Sequence, residues 1–323
     1  MEQTNFRFLG KSDLHLSPVG LGCWQFSKQN NFAGKFWPKL EDDLIRNIVS
    51  QSLQHGINWF DTAELYGKGA SEKALSHALT ELGKKPGEVI VATKWWPMFR
   101  TASNILKTIT DRIEALSPFP IDLYQVHHPY GFSSEKEEMK AMAELVRSGK
   151  IRYIGVSNFS ASKLRSAWET LDKLGIPLVS NQVRYSLLDR SIESNGILQT
   201  AKELGISIIA YSPLAQGMVT GKFHKHPEAI KASGYRRYSS IFKRSALEKS
   251  LPLITLLREL AEKYKVSVSQ VALNWMIHFH GENIFVIPGA TKEAQACDNP
   301  GSMSFRMTAE DMERVNQESK LYK

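Results

Sequence analysis

Residues 57–67 read INWFDTAELYG, an apolar run that stops abruptly at an acid and is followed by a tyrosine. The apolar part, residues 57–60, is too short for a helix and too apolar for a loop, so it predicts a buried strand. Asp61 and Tyr66 then lie just beyond the carboxyl end of this strand. An isolated Asp at such a place is most often a helix N-cap or a turn residue, so the role of Asp61 depends on what the chain brings near it.

Short β-branched or aromatic runs recur along the 323-residue chain and alternate with helical stretches. The runs predict eight strands, at residues 19–23, 57–60, 89–93, 123–126, 153–156, 178–183, 207–211 and 284–287. Helical periodicity separates the first seven, at residues 42–55, 71–82, 102–116, 134–148, 160–174 and 197–204. Eight such units indicate an α/β protein with a closed (β/α)8 TIM barrel, and an open doubly wound sheet is the alternative. No linker interrupts the repeat, so we expect one domain over residues 1–323.

Two segments depart from the repeat. Residues 6–17 alternate apolar and polar side chains around a Gly-Lys-Ser-Asp turn, which predicts an N-terminal β-hairpin that could plug the amino end of the barrel. The interval between the seventh and eighth strands is the longest; it contains a basic stretch, residues 223–244, followed by helical patterns at 251–264 and 269–279. This long insertion is either a lid over an anionic ligand or a solvated loop.

Composition narrows the choice of partners. The net charge is +8, but the Lys and Arg residues are scattered, so we expect no nucleic-acid partner. Cys23 and Cys297 match no metal or redox spacing, and we expect no metal. The N-terminus has no signal-peptide pattern and no apolar stretch reaches the length of a membrane span, so a cytoplasmic protein without a membrane partner is the expectation.

Polar residues close three consecutive strands of the predicted barrel. Asp61 follows the second strand, Lys94 the third and His127 the fourth, while Tyr66 lies on the loop after the second. Because neighbouring strands lie about 4.8 Å apart and their carboxyl ends share one face, these four side chains should converge. Lys94, held charged by Asp61, should lower the pKa of Tyr66 from its usual value near 10 and make the phenol a proton donor.

A phenol with a tuned pKa beside an imidazole suits a carbonyl oxygen on which negative charge develops. The sequence contains no serine-nucleophile elbow and no zinc-protease motif, so attack by hydride from a cofactor is more natural than acyl transfer. No Rossmann fingerprint is present, because the glycines at positions 20 and 22 lack the third one.

The remaining strand ends carry groups that suit a nicotinamide cofactor. Amides and hydroxyls suit its carboxamide, an aromatic ring suits stacking on the nicotinamide, and a Gly-containing turn suits phosphate. These groups are Ser157, Asn158, Gln182, Tyr211, Ser212, Pro213, Leu214 and the turn at residues 288–291.

Taken together, the motifs resemble the aldo-keto reductase family over nearly the whole chain. The matching segments are residues 59–63 with 66–67, 92–94, 122–129, 149–158, 181–183, 210–214 and 287–289. The resemblance implies a catalytic tetrad of Asp61, Tyr66, Lys94 and His127, with Tyr66 as the acid. It also implies that the nicotinamide stacks on Tyr211 and is held by Ser157, Asn158 and Gln182. Family members reduce aldehydes and ketones with NADPH, usually without metal, and the reverse reaction oxidises the alcohol.

The same resemblance supplies further site residues as expectations. Cofactor contacts are expected from Cys23, Trp24, Asp61, Ser212, Pro213, Leu214, Gln216, Lys222, Gly289, Thr291, Gln295 and Asn299. Substrate contacts are expected from Trp24, Trp95 and His128. Trp96 and the loop around Tyr235 and Tyr238 are additional pocket candidates.

Two positions depart from the family pattern. His128 stands where the best-known motif has Trp, which predicts a more polar pocket; register favours His127 over His128 as the tetrad member. Gln295 stands where many members have an Arg that holds the 2′-phosphate of NADP. In having Gln295, the sequence resembles the branch that includes bacterial aldo-keto reductases and potassium-channel β subunits. In that branch, a Lys matching Lys222 takes part in phosphate binding. NADP(H) is therefore favoured over NAD.

The leading interpretation is an NADP-dependent reductase of small carbonyl compounds. The alternative is a nicotinamide-binding auxiliary subunit that senses redox state with little turnover. The sequence leaves the physiological substrate and the oligomeric state open.

Overall fold

Eight parallel strands form the centre of the protein in a computed structural model, which describes residues 6–28, 37–231 and 239–323. The strands, numbered along the chain after two in an N-terminal hairpin, are β3 (Leu21–Gly22), β4 (Trp59–Asp61), β5 (Ile90–Trp95), β6 (Leu123–Val126), β7 (Tyr153–Ser157), β8 (Leu178–Arg184), β9 (Ser207–Tyr211) and β10 (Ile284–Ile287). Each strand pairs in parallel with the next one in sequence. The predicted strands therefore all exist, with small shifts at their ends.

The first and last strands meet and close the sheet into a barrel. The backbone N–H of Gly20 donates to the carbonyl oxygen of Val286 at 2.9 Å, and that of Gly22 to Pro288 at 3.2 Å. A Cβ atom on Gly22 would lie 2.9 Å from the carbonyl oxygen of Ile287, so the close approach requires glycine at this position. The predicted TIM barrel is confirmed, and the open doubly wound sheet is excluded.

Helices surround the barrel. They are α1 (Asp42–Gln54), α2 (Ala70–Glu81), α3 (Ser103–Leu116), α4 (Glu135–Arg147), α5 (Ala161–Asp172), α6 (Ile197–Leu204), α7 (Lys222–Lys225), α8 (Glu228–Lys231), α9 (Arg244–Tyr264), α10 (Val268–His278), α11 (Glu293–Asp298) and α12 (Ala309–Glu318). Within the described ranges, no helix combines the length and apolar character needed to cross a membrane.

The long insertion between the last two strands carries four of these helices, α7 to α10. Helix α9 begins at Arg244, well before the predicted start at residue 251, and continues through Pro252. A proline normally ends a helix, but the buried Leu253, Ile254 and Leu257 hold this one against the core. Residues 232–238 of the predicted basic lid, including Tyr235 and Tyr238, lie outside the described residues.

The N-terminal hairpin covers the amino end of the barrel. Its strands, β1 (Arg7–Phe8) and β2 (His15–Leu16), pair antiparallel as predicted. Leu9, Leu14 and Leu16 are buried against side chains that point into the barrel, among them Trp59, Leu123, Val179, Ile209 and Phe285. The turn fits tightly, because a Cβ atom on Gly10 would lie 2.4 Å from the carbonyl oxygen of Val179. The hairpin is therefore part of the barrel core.

The hairpin should contribute measurably to stability. Leu14 is 1% exposed, and replacing a buried Leu with Ala removes apolar contacts and leaves a cavity, so Leu14→Ala should lower the free energy of unfolding by about 2–5 kcal/mol. The matched control is Phe8→Ala, because Phe8 belongs to the same hairpin but is 61% exposed. Urea unfolding followed by circular dichroism measures both variants. Equal effects would show that the hairpin is not packed as described.

Candidate active site

A cleft of about 380 Å³ opens at the carboxyl ends of the barrel strands. This volume falls in the range of small-molecule sites, and the carboxyl end is where sites of TIM barrels lie. Three of the four tetrad candidates, Asp61, Tyr66 and His127, line the cleft. The other expected ligand contacts that line it are Cys23, Trp24, His128, Ser157, Asn158, Gln182, Tyr211, Ser212, Pro213, Leu214, Gln216, Gly289, Thr291, Gln295 and Asn299.

A buried ion pair lies beneath the cleft. Lys94 and Asp61 are 0% and 1% exposed, and the Lys94 ammonium donates to Asp61 Oδ1 and, at 2.8 Å, to the carbonyl oxygen of Thr62. The second oxygen, Asp61 Oδ2, accepts from Gln125 Nε2 at 3.0 Å and from Gln182 Nε2 at 2.8 Å. Burying two charges is costly unless pairing and hydrogen bonds compensate, and here both charges are satisfied. Asp61 is neither an N-cap nor a simple turn residue, because helix α2 is capped by Gly69.

The hydroxyl of Tyr66 completes this arrangement. Lys94 Nζ lies 3.4 Å from Tyr66 Oη and 5.0 Å from the centre of its ring. Burial raises the pKa of Tyr66, and the positive charge of Lys94 offsets only part of that effect. The expectation of a lowered pKa is therefore wrong, because the removal of the phenol from water outweighs the neighbouring cation. Tyr66 is a neutral, protonated phenol at physiological pH.

Lys94 is a cation at the same pH. Burial lowers the pKa of Lys94, but the negative charge of Asp61 and the hydrogen bonds to Asp61 and Tyr66 outweigh burial and raise it. A protonated amine next to a protonated phenol is a competent arrangement for proton release, because the cation stabilises the phenolate that forms.

The ring of His127 lies beside the phenol of Tyr66. Its ring is nearly perpendicular to that of Tyr66, with 5.7 Å between ring centres. Burial, followed by the positive charge of Lys94, lowers the pKa of His127 well below its ordinary value, so the imidazole is neutral. The ring of His128 stacks on His127 from outside, 5.3 Å away, and burial also lowers the pKa of His128. Only His127 of the two has a ring contact with Tyr66.

The residues expected to hold a nicotinamide form one hydrogen-bonded group. Asn158 Nδ2 donates to the carbonyl oxygen of His127 at 3.2 Å and to Ser157 Oγ at 3.0 Å, and Asn158 Oδ1 accepts from the hydroxyl of Tyr211 at 3.0 Å. These bonds fix the Tyr211 ring at the cleft wall. Gln182 reaches the same wall from β8. A fixed aromatic ring flanked by amides and a hydroxyl fits an aromatic ligand that carries a carboxamide.

The segment after β9 has an unusual backbone. Ser212, Ala215 and Gln216 have positive φ angles of 52°, 46° and 56°, although none is glycine. Each such residue costs on the order of 1–3 kcal/mol, and strain of this kind clusters at functional sites. The Ser212 hydroxyl and the Gln216 side-chain amide can donate hydrogen bonds to the oxygens of an anion. All but Ala215 line the cleft, which makes this segment the candidate phosphate contact.

Thr291, Gln295, Asp298 and Asn299 also line the cleft. Gln295 Oε1 accepts from the backbone N–H of Thr291 at 2.8 Å, so the two residues are held together. No Lys or Arg side chain is among the described residues that line the cleft. Lys222 is exposed at the start of α7 and is not part of the wall, although Thr220, two residues earlier, is.

Trp95 is not a substrate residue. Its side chain is fully buried in the core between barrel and helices, and its indole N–H donates to Asn104 Oδ1 at 2.9 Å. Side chains along a strand alternate between faces, so Lys94, which points into the barrel, forces Trp95 to point outward. The next residue, Trp96, lines the cleft instead, and so does Trp37, which the sequence reading did not identify.

A second buried charge cluster lies under the loop that carries Tyr66. Glu64 Oε1 accepts from the Trp96 backbone N–H and from Arg100, each at 2.6 Å, and Glu64 Oε2 accepts from Arg112 at 2.8 Å. Arg112 also pairs with the fully buried Glu72 at 3.0 Å, and burial raises the pKa of Glu72 to about 7. The cluster ties the Tyr66 loop to the Trp96 loop. The sequence analysis did not identify this cluster, because its members are far apart in the chain.

Comparison with known proteins identifies the family of the chain. The family model described as Aldo/keto reductase family matches residues 18–320. An uncharacterised oxidoreductase of Mycobacterium tuberculosis is 32% identical over 95% of this chain and 91% of its own length. The chloroplastic pyridoxal reductase of Arabidopsis thaliana is 31% identical over 92% of this chain and 82% of its own.

A solved structure has the same fold. The glycerol dehydrogenase of Gluconobacter oxydans superposes with a TM-score of 0.83 at 29% identity, covering 100% of this chain and 97% of that one. The match of the family model over nearly the whole chain, on a barrel of the same architecture, shows that this protein belongs to the aldo/keto reductase family of oxidoreductases.

Proposed function

We propose that this protein is an NADPH-dependent carbonyl reductase, which reduces a small aldehyde or ketone to the alcohol and catalyses the reverse oxidation. The observation that carries the proposal is the buried Lys94 ammonium, bound to Asp61 and 3.4 Å from the hydroxyl of Tyr66 at the cleft wall. A cytoplasmic location and a single catalytic domain belong to the same proposal.

The hydrogen-bonding side chains of the cleft fit a nicotinamide dinucleotide. When bound, NADPH supplies the hydride. Ser157, Asn158 and Gln182 would hold the carboxamide, the ring of Tyr211 would support the nicotinamide, and the left-handed segment after β9 would receive phosphate oxygens. Lys222 is the candidate contact for the 2′-phosphate, because its exposed, flexible side chain begins two residues after the wall residue Thr220.

The proton comes from Tyr66 in this proposal. Its hydroxyl donates a hydrogen bond to the carbonyl oxygen of the substrate and transfers the proton as negative charge develops there. Lys94 stabilises the resulting phenolate, and Asp61 keeps Lys94 charged. The neutral ring of His127 lies beside the phenol and can hold the same substrate oxygen by a hydrogen bond, without adding a charge that would repel the ammonium.

Removal of the phenolic hydroxyl tests the mechanism. Tyr66→Phe should lower kcat for 4-nitrobenzaldehyde by about 10²–10⁴-fold, because general acid catalysis is lost. The dissociation constant of NADPH should stay within about twofold, since the proposed cofactor contacts are elsewhere. NADPH consumption and a fluorescence titration give the two quantities. Turnover that survives the substitution would remove Tyr66 as the acid, and NADPH binding by the wild type without turnover of any carbonyl compound would favour an auxiliary, redox-sensing role.

The buried ion pair can be tested by breaking one side and then both. Asp61→Asn leaves Lys94 as a buried cation without a counterion and should lower the free energy of unfolding by about 3–5 kcal/mol. The double variant Asp61→Asn with Lys94→Met should regain part of that stability and still lack turnover. Urea unfolding and NADPH consumption separate the two effects. A double variant less stable than Asp61→Asn would contradict the proposed charge pairing.

The choice of NADPH can be tested at one lysine. Lys222→Ala should raise the KM for NADPH about tenfold, because a charge-assisted contact to phosphate is lost, and leave the KM for NADH within about twofold. Lys225→Ala is the matched control, because Lys225 is an exposed lysine on the same short helix. If the KM values for NADPH and NADH change together, Lys222 does not recognise the 2′-phosphate.

A further inference from the structure

Arg112 lies on helix α3, outside the cleft, and joins two buried acids. Its Nη1 donates to Glu64 Oε2 at 2.8 Å, and its Nε lies 3.0 Å from Glu72 Oε2. Arg112, Glu64 and Glu72 are 9%, 6% and 0% exposed, and none of the three is among the described residues that line the cleft. Because a guanidinium is planar and rigid, the two carboxylates are held at a fixed separation.

Glu64 fixes the turn that carries Tyr66. Its carbonyl oxygen accepts from the backbone N–H of Gly69 at 2.9 Å, which closes the turn around Tyr66. Its backbone N–H donates to the carbonyl oxygen of Lys94 at 3.3 Å, and its side chain accepts from the backbone N–H of Trp96 at 2.6 Å. The position of the phenol therefore depends on where the Glu64 carboxylate is held.

Glu72 holds the strand that carries Lys94. Glu72 Oε1 accepts from the hydroxyl of Thr93 at 2.6 Å, and both residues are fully buried. Thr93 precedes Lys94 in β5, and because side chains alternate along a strand, Thr93 points outward to helix α2 while Lys94 points into the barrel. Glu72 therefore fixes β5 from outside the barrel, one residue before the ammonium that faces Tyr66.

Net stability is a poor explanation for these three buried charges. Burial raises the pKa of Glu72 to about 7, which shows that its negative charge is costly in this environment. Apolar side chains of similar volume often stabilise a protein as well as a buried ion cluster does. A charged cluster does, however, fix the separation of the groups that it joins. The separation that matters here is that between Lys94 Nζ and Tyr66 Oη, because 3.4 Å lies near the limit of a hydrogen bond and a small displacement would break it.

On this basis, and resting on the proposed carbonyl reduction, we infer that Arg112 is a positioning residue, which sets the separation of the Lys94 ammonium from the Tyr66 hydroxyl without touching the cleft. It acts on Tyr66 through Glu64 and on Lys94 through Glu72. In the reaction, the Tyr66 proton passes to the carbonyl oxygen of the substrate, and the nearby ammonium stabilises the phenolate that remains. A wider separation lowers this stabilisation and slows the proton transfer, while the contacts that the cleft makes with cofactor and substrate are unchanged.

Removal of the guanidinium tests the inference at a pH above the pKa of Glu72. Arg112→Gln should lower kcat for 4-nitrobenzaldehyde by about 10–100-fold, because a misplaced donor slows proton transfer. The KM for the aldehyde and the dissociation constant of NADPH should stay within about threefold. Arg152→Gln is the matched control, because Arg152 also joins two acids, Asp13 and Asp122, at 2.8 Å and 2.7 Å, but at the amino end of the barrel. Equal losses of kcat in the two variants, or a change in KM alone, would overturn the inference.

A double variant separates positioning from stability. Arg112→Gln leaves two buried acids without their shared cation, which destabilises the protein. The addition of Glu72→Gln removes one of the two unpaired charges, so urea unfolding should show that part of the stability is restored. The kcat of the double variant should stay at least about tenfold below that of the wild type, since the two segments are still not joined. A kcat that returns with the stability would show that Arg112 acts on folding alone and would overturn the inference.

A nuclear magnetic resonance measurement separates this inference from the proposed reaction. Protein labelled with carbon-13 at the hydroxyl-bearing ring carbon of its ten tyrosines gives one signal for each, and Tyr66→Phe identifies the signal of Tyr66. Arg112→Gln should shift this signal, because the charge of Lys94 is no longer at the same distance, and Arg152→Gln should leave it unchanged. A shifted signal in a protein whose wild type turns over no carbonyl compound would reject the reaction and retain Arg112 as the positioning residue. A signal that does not move in Arg112→Gln would overturn the inference whatever the turnover.

Discussion

The ammonium group of Lys94 lies inside a protein barrel with no access to water, and the site depends on how that charge is stabilised. Asp61 supplies the counterion from the neighbouring strand, and Gln125 and Gln182 supply hydrogen bonds to the acid from two further strands. Four strands must therefore keep their register for one cation to be tolerated. The same requirement fixes where the phenol of Tyr66 stands, because Lys94 is its polar neighbour.

Two groups of buried charged side chains lie near Tyr66. Inside the barrel, the Asp61 and Lys94 pair sets the charge of the site. Outside, the cluster of Glu64, Arg112 and Glu72 fixes the loops that carry Tyr66 and Trp96. The charged side chains of both groups are largely buried. In a buried environment, electrostatic interactions are stronger than in water, and an unpaired charge is more costly. These paired charges hold the walls of the cleft in place. A fixed wall suits a reaction that needs the Tyr66 hydroxyl at a fixed distance from its acceptor.

The alternation of strands and helices predicted the barrel, and the residues at the strand ends predicted most of the cleft wall, because parallel strands bring their carboxyl ends together regardless of detail. Other features depended on quantities that a sequence does not contain. Whether Trp95 or Trp96 faces the cleft is decided by the inward direction of Lys94. The direction of the pKa shift of Tyr66 depends on how burial compares with a nearby cation. The Glu64 cluster joins a loop to helix α3 across 48 residues of sequence, which no local pattern indicates.

The hairpin of residues 7–16 closes the amino end of the barrel with the packed side chains of Leu9, Leu14 and Leu16. Among the described residues, the barrel is therefore closed at its amino end, and Tyr66 faces the cleft at the carboxyl end. In the proposed reaction, the cofactor and the carbonyl compound would therefore enter and leave at the same end of the barrel. A ligand bound across that opening would block both the entry and the release of these molecules.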